Sequence, residues 1–414
     1  MLRERVDVVR ELAPSEERFV RHGTFTGRSV AVSGALDIRV LRRAFADLQA
    51  SYPILRCRIA ADPALLLAPR GRAPRLWLAT GDPAAVPLPR RALHPDRALG
   101  YLDVVRDRGL ARVTLYVHHA VADAGHCLAL FARLWELYTE RAEYGRATVR
   151  EHPLPLPLEQ HVLGSGLSRA GVSGLETVIA PGPPPPPPAG HAPGPQALAR
   201  PYRLVLDPAA TARLTGFARA HGVSMNGVVT AALLRAFAEL APARGPVGCV
   251  YPVDLRTRLG HRVDAVGGTN MAGLTGFLAA GIDRADDPVE LAQRVSSTLR
   301  HDLAEGIVQQ SVLHFPDFYG DRRVHSLAGH VAITNTGAVR PFTVPAGLHL
   351  TDYEIVYLSA HPRPSAGASA AVTFLVYTYA GRLSVGVLGG GDPERMAAAV
   401  RAELDLLVEG VPVA

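Results

Sequence analysis

The chain has 414 residues, is 48% hydrophobic and 20% charged, and carries a formal net charge of +6. Its length points to two lobes rather than one core, and its longest apolar runs are far too short to span a membrane. The positive charge is all arginine and is scattered, with no basic run interleaved with aromatics, so nucleic-acid binding is disfavoured, and the absence of lysine excludes a Walker A loop, a Schiff base and a pyridoxal site.

Residues 12–34 read as a loop, Leu12-Ala-Pro-Ser-Glu-Glu up to Phe19-Val20, then a strand over Arg28–Ser33. Asp37 is placed to cap a helix whose buried stripe is Leu41, Ala44, Phe45 and Leu48, ending before Ser51-Tyr52-Pro53. Strands follow at Leu55–Ile59, Leu65–Leu67 and Leu76–Leu78. Val113–His119 has the β-branched and aromatic content of a strand. Alternation puts Val113, Leu115, Val117 and His119 on one face and Thr114, Tyr116 and His118 on the other. From Gly125 the period becomes helical, with Leu128, Phe131, Leu134 and Tyr138 in step, to about Tyr144.

An unbroken run from Pro183 to Pro188 favours polyproline II, so 181–198 reads as a linker between an N-terminal lobe, 1–180, and a C-terminal lobe, 199–414. Past it come a strand at Tyr202–Leu206, a helix capped by Asp207-Pro208, and a helix capped by Ser224 that runs to Leu240. Next are a strand at Val247–Tyr251, a helix opened by Asp287-Pro-Val-Glu290, and a strand at Val331–Thr334 ending in Asn335-Thr-Gly337. A hairpin of Ala371–Tyr379 with Leu383–Leu388 and a helix capped by Asp392-Pro393 close the chain. The ends of the two halves share a theme: strand then helix, with Tyr377-Thr-Tyr379 where the first copy has its histidine pair. Met1–Asp7 carries mixed charge and no apolar run, so no secretory signal is expected, and Cys57, Cys127 and Cys249 are odd in number and in no metal spacing, which suits a reducing cytoplasm.

Chemistry concentrates in Val113–His126. Two histidines end a strand, an aspartate follows four residues later, and a helix leaves from the turn. Three readings are open from the residues alone. A neutral imidazole can act as a general base, with Asp123 orienting the ring or bracing the turn through an arginine. His119, Asp123 and His126 could ligate a metal if the turn were helical. The histidines could simply end a buried strand. No G-x-S-x-G elbow is present, and Cys127 opens an apolar helix and reads as core.

The stretch V-T-L-Y-V-H-H-A-V-A-D-A-G-H resembles the H-H-x-x-x-D-G signature of the condensation-domain superfamily. Within it the polyketide-associated acyltransferases of the phthiocerol dimycocerosyl transferase type are the most similar. Leu12-Ala-Pro-Ser-Glu, Gly27-Arg-Ser-Val, Ala50-Ser-Tyr-Pro53-Ile-Leu-Arg56, and Pro252-Val-Asp254-Leu-Arg256-Thr-Arg258-Leu followed by Thr269-Asn270 extend the resemblance over nearly the whole chain. It implies an α/β fold of two chloramphenicol-acetyltransferase-like lobes, each a mixed sheet flanked by helices, with a tunnel between them.

It also implies acyl transfer from a thioester, acyl-CoA or a phosphopantetheinyl carrier protein, to a hydroxyl of a polyketide, lipid or other secondary metabolite. An amine acceptor, or carrier binding without catalysis, are the alternatives. His119 would be the base, Asp123, His118 and Arg256 would be structural, with Arg256 on the Asp123 carboxylate, and the N–H groups of Ala124 and Gly125 would face the oxyanion. No bound cofactor or metal is expected, and the protein is expected to be a monomer. The family has Gly directly after the Asp; here Ala124 takes that place, where a glycine-only backbone angle would strain it.

Overall fold

The computed structural model describes residues 7–20, 23–85, 92–176, 178–179, 197–240, 245–283, 286–319, 330–359, 372–389 and 391–409. The first half holds β1 (Val8–Glu11), α1 (Pro14–Val20), β2 (Phe25–Gly34), α2 (Ile38–Ser51), β3 (Arg58–Ala61), β4 (Ala64–Leu67) and β5 (Trp77–Thr80). It continues through β6 (Gly100–Asp107), β7 (Leu110–His118), α3 (Ala124–Tyr144) and α4 (Leu158–Gly164). Then come β8 (Ala197–Ala199), β9 (Tyr202–Val205), α5 (Pro208–Ala220), α6 (Met225–Leu240), β10 (Val247–Asp254) and β11 (Ala272–Ala279). The last stretch is α7 (Pro288–Ala304), α8 (Ile307–Gln310), α9 (Phe315–Tyr319), β12 (Val331–Val339), β13 (Leu348–Ser359), β14 (Val372–Tyr379), β15 (Arg382–Leu388) and α10 (Pro393–Val408).

Two six-stranded mixed sheets carry the molecule. The first runs β5-β6-β7-β2-β13-β8 and the second β11-β10-β12-β14-β15-β9; β1, β4 and β3 form a small third sheet. Helices α2 and α3 cover one face of the first sheet, burying Leu41, Phe45, Leu48, Phe131 and Trp135 against Val30, Val113 and Leu115. Helices α5, α6 and α10 cover the second, where Leu214, Leu233 and Leu404 meet Phe374, Val376 and Val385. The caps read from sequence form as side-chain bonds: Asp37 accepts from Arg39 N, Asp207 from Ala210 N, Asp287 from Val289 N and Asp392 from Arg395 N.

Strand β14 joins the two cores. Phe374 and Val376 point into the second core, while Leu375 and Tyr377 pack into the first, which is why its sequence is an apolar run rather than an alternation. Tyr377 and Tyr379, at the place of the histidine pair in the internal repeat, donate to the carbonyls of Tyr353 and Leu350 on β13 at 3.1 and 3.2 Å.

Several expectations change. Pro14–Val20 is a helix, not a loop; proline opens it and Glu16 and Glu17 fill its first turn, a placement that favours the helix. The segment read as a strand from Leu55 begins with a 3₁₀ turn over Pro53–Arg56, and β3 starts at Arg58. Strands β6, β11 and β13 carry no turn-bounded alternation and escape a reading by period. Sheet membership also crosses the expected lobe boundary. β13, from the C-terminal part, pairs antiparallel with β2 from Leu348↔Gly34 to Leu358↔Phe25, and β8 pairs with β13 beyond it. Of the proline-rich stretch 181–198, residues 181–196 lie outside the described residues.

A buried ion pair holds β13 in place. Arg112 of β7 reaches across β2 to donate to Glu354 at 2.7 Å and to Asp352 at 2.7 Å, and Arg200 donates to the other Glu354 oxygen at 3.1 Å. Arg112 is 4% exposed and Glu354 2%. Removing one partner of such a pair strands the other charge. Glu354→Leu is therefore expected to lower the unfolding free energy by about 3 kcal/mol, read as a lower urea midpoint with unchanged slope.

Candidate active site

The site is built where β7 gives way to α3. The backbone leaves the ladder at His118, whose N–H bonds Leu99 O at 2.8 Å; His119 N–H then bonds Thr24 O at 2.7 Å, and Val121 N–H turns back to His118 O at 3.1 Å. The strand's alternation sends the two rings apart. His118 is fully buried, edge-on to Phe25 at 4.9 Å, and its Nδ1 accepts from Ala120 N at 3.3 Å. Burial, then the neighbouring His119, hold it neutral with a pKa of about 3.

His119 is partly exposed. Its Nδ1 lies 3.0 Å from Ala122 O. A carbonyl only accepts, so the proton sits on Nδ1 and Nε2 keeps its lone pair. Among the described residues Nε2 has no hydrogen-bond partner, and it is not sealed off as the Nε2 atoms of His118 and His126 are. Phe19 of α1 stacks on the ring at 4.0 Å and 15°, and Tyr357 of β13 stands 6.1 Å away. Asn270 fixes the backbone by donating to His119 O at 2.6 Å. Burial, and then the charge of Arg18, lower the pKa of His119 to about 4.

Asp123 is the N-cap of α3 and accepts four hydrogen bonds. Oδ1 takes His126 N–H at 2.8 Å and Arg256 Nη2 at 2.9 Å; Oδ2 takes Arg256 Nη1 at 2.9 Å and Met271 N–H at 2.7 Å. Burial alone would raise its pKa, but the Arg256 charge and these donors outweigh that and hold the carboxylate below its usual range. Arg256 is anchored in turn by Asp254 at 3.0 Å and Ala265 O at 3.1 Å.

Ala124 is the first residue of α3, and Gly125 the second. Their N–H groups point out of the helix start without intrahelical acceptors. Among the described non-glycine residues a positive φ occurs only at Arg108, Asp352 and Ala380. The backbone at 124 is thus one that alanine adopts freely, and the expected strain is absent. The crowding lies instead at 125, where a Cβ would stand 3.1 Å from Arg256 Nη1, tight against a guanidinium already held by Asp123.

His126 turns away, with Nδ1 3.1 Å from Gly268 O, so His119, Asp123 and His126 do not converge. Cys127 is 1% exposed and burial pushes its thiol up to about 12. A cavity of about 790 Å³ opens in the second half between α6, α7, β10 and β12, walled by Ser224, Asn226, Asp254, Arg258, Arg300 and Asn335. His119 does not line it; Asp254 links its wall, through Arg256, to Asp123.

Sequence reasoning missed Phe19 and Glu16. Glu16 is wholly buried, paired with Arg10 at 2.6 Å, and accepts from Thr269 Oγ1 at 2.7 Å, pinning α1 to the segment that holds Asn270. The signal was Pro14 followed by two acidic residues, a helix start read as a loop.

A family model described as the C-terminus of phthiocerol/phthiodiolone dimycocerosyl transferase matches residues 195–388. A transferase of that name from Mycobacterium bovis (strain BCG / Pasteur 1173P2) is 30% identical over 414 aligned residues, covering 96% of both chains. The chain belongs to the phthiocerol/phthiodiolone dimycocerosyl transferase family. A second relative in this family, from Mycobacterium sp. (strain JLS), is 32% identical over 85% of the chain and 87% of its own length. The structure of polyketide synthase associated protein 5 from Mycobacterium tuberculosis superposes with a TM-score of 0.82 at 28% identity, covering 97% and 99% of the two chains. The first condensation domain of the calcium-dependent antibiotic synthetase shares the fold, with a TM-score of 0.68 at 18% identity over 99% and 100%. As a dimycocerosyl transferase family member the protein is an acyltransferase with the two-lobed condensation-domain fold. Among its described residues no single helix is long and apolar enough to cross a membrane.

Two outcomes follow from the electrostatics. Arg256→Met leaves the Asp123 carboxylate buried without its counter-charge, so unfolding free energy should drop by about 3–5 kcal/mol in chemical denaturation. His118, His119 and His126 have folded pKa values of about 3, 4 and 4 against an ordinary 6.5. The unfolded chain therefore binds protons that the folded chain refuses, so stability is whole above pH 6.5 and is lost as pH falls towards 4. Urea midpoints measured from pH 7 to pH 4 should fall through that window, and His118→Gln should flatten the slope.

Proposed function

We propose that the protein transfers an acyl group from a thioester, either acyl-CoA or a phosphopantetheinyl carrier protein, directly to a hydroxyl of a polyketide-derived lipid or related secondary metabolite. The observation that carries this reading is the locked tautomer of His119: Nδ1–H on Ala122 O, with Nε2 left without a hydrogen-bond partner among the described residues. Nε2 takes the hydroxyl proton as that oxygen attacks the thioester carbonyl. The tetrahedral oxyanion is met by the N–H groups of Ala124 and Gly125 at the positive end of the helix. The C–S bond then breaks, and the thiolate takes the proton back from Nε2.

Asp123, held by Arg256, braces the turn that positions these groups and does not touch the ring proton. His118 supports from behind the strand. No side chain of nucleophilic character stands free at the turn, since Cys127 is buried and protonated, which supports direct transfer. The cavity at Asp254, about 790 Å³, has the volume of a small-molecule site. The relatives' names, which specify dimycocerosyl transfer to phthiocerol or phthiodiolone, support a lipid hydroxyl as acceptor. The three free, buried cysteines support a reducing compartment, the cytoplasm.

Removing the base tests this. His119→Ala should lower turnover of an acyl thioester with an alcohol acceptor by about 10²–10⁴-fold with the circular dichroism spectrum unchanged. Equal turnover in the variant would overturn the assignment of the base. Faster reaction with amines than with alcohols would replace ester formation by amide formation. Carrier binding without turnover in the unmutated protein would make it a binding module.

A further inference from the structure

Arg28 is among the largest fully buried side chains of the protein, at 1% exposure. Buried guanidinium groups are normally matched by a carboxylate; Arg112, Arg235 and Arg256 each are. Among the described residues Arg28 has none. Nη1 donates to Thr26 Oγ1 at 2.8 Å and to Gly27 O at 3.3 Å, Nη2 donates to Ala124 O at 3.2 Å, and Nε is buried with no partner. Its strand pairing with Leu115 puts it on the sheet face that Leu115, Val117 and His119 share.

The placement opposes ordinary helix electrostatics. A cation is favoured at a helix C-terminus, yet Arg28 lies against the first residue of α3. Asp123, the carboxylate at that helix start, is already neutralised by two bonds from Arg256. The other carboxylate on Arg256, Asp254, is 60% exposed, so solvent screens it. Two buried cations and the positive end of a 21-residue helix therefore share one buried carboxylate. The start of α3 carries an excess of positive potential that only a further anion would satisfy.

We propose that Arg28 is a positioning residue that charges the oxyanion site through the Ala124–Gly125 peptide, resting on the acyl-transfer reading above. Its guanidinium bonds the carbonyl end of that peptide, and the N–H at the other end belongs to Gly125. Pulling electron density onto the oxygen strengthens the N–H as a donor, as in any polarised chain of hydrogen bonds. It also fixes the plane of the peptide, and thus the direction in which the N–H points. The missing anion is the tetrahedral intermediate itself. In the resting protein the buried charge has only a share of Asp123; a carbonyl oxygen that becomes negative adds the compensation, an interaction made in the transition state alone.

The test compares Arg28→Met, Arg28→Gln and Arg28→Lys, each checked for fold by circular dichroism. Two readouts are used: steady-state kinetics with an acyl-pantetheine thioester, and calorimetric binding of an alkylphosphonate analogue of acyl-pantetheine against its uncharged methylene-ketone counterpart. The unmutated protein should prefer the phosphonate by at least about tenfold, a modest share of what one oxyanion donor contributes. Met and Gln should abolish that preference and lower kcat by about tenfold or more with KM nearly unchanged, and Lys should restore part of both. Should Met fail to fold, Gln against Lys makes the same comparison. Loss expressed only in KM, a phosphonate preference intact in Gln, or no preference in the unmutated protein would each overturn the proposal. Absent turnover with an intact, Arg28-dependent phosphonate preference would instead support the anion site and overturn the reading as an acyltransferase of thioesters.

Discussion

The bidentate bond between Arg256 and Asp123 is the constraint from which the site is assembled. Both groups are buried, so each would carry a heavy desolvation cost alone. The geometry meets that cost: the carboxylate accepts four donors, two from one guanidinium and two from backbone N–H groups in different parts of the chain. The pair fixes the first turn of α3, and with it the direction of the Ala124 and Gly125 N–H groups. Through Met271 and the neighbouring Asn270 it also fixes the loop that grips His119 from the backbone. One ion pair thus ties a strand end in the first sheet to the approach to β11 in the second.

The state of His119 follows from the same crowding. An imidazole buried this far, with Nε2 lacking a hydrogen-bond partner among the described residues, stays neutral without a carboxylate on its ring. Its orientation comes instead from Ala122 O on one edge and Phe19 on one face. Phe19 sits on a helix tied by Glu16 to Thr269, so ring and support are positioned from both halves of the chain. Of the charges around this point, Arg18 disfavours an imidazolium and the Asp123 carboxylate favours one, and burial outweighs both.

Much of this was legible in the residues. Period and composition located β7, α3, the caps at Asp37, Asp207, Asp287 and Asp392, and the hairpin of β14 and β15, because each is a local agreement of pattern and turn chemistry. Resemblance, rather than spacing, singled out Arg256. The rest depends on contacts that sequence distance conceals. β13 has no alternation because Tyr353, Ile355 and Val356 are all buried, some against helices and some against the far face of the sheet. Arg28 looked like one arginine among many, and nothing local marks it as buried. The Ala at 124 looked like a defect because a glycine in the pattern suggested a special backbone angle, whereas the residue is helical and the crowding lies one position on.

The crossing of β13 into the first sheet has a consequence for how the polypeptide comes into being. As the chain leaves the ribosome, β2 and β7 emerge early, but the strand that flanks β2 on its other side is made only after most of the second sheet. Until then β2 offers an open ladder to the solvent, the kind of edge that recruits foreign strands, and its closure is a contact of very long range. The two halves are therefore not a pair of independently assembling units. A fragment ending in the proline-rich region would present an unfinished sheet, and the nascent protein would be at its most vulnerable to aggregation in the interval before residue 359 is added.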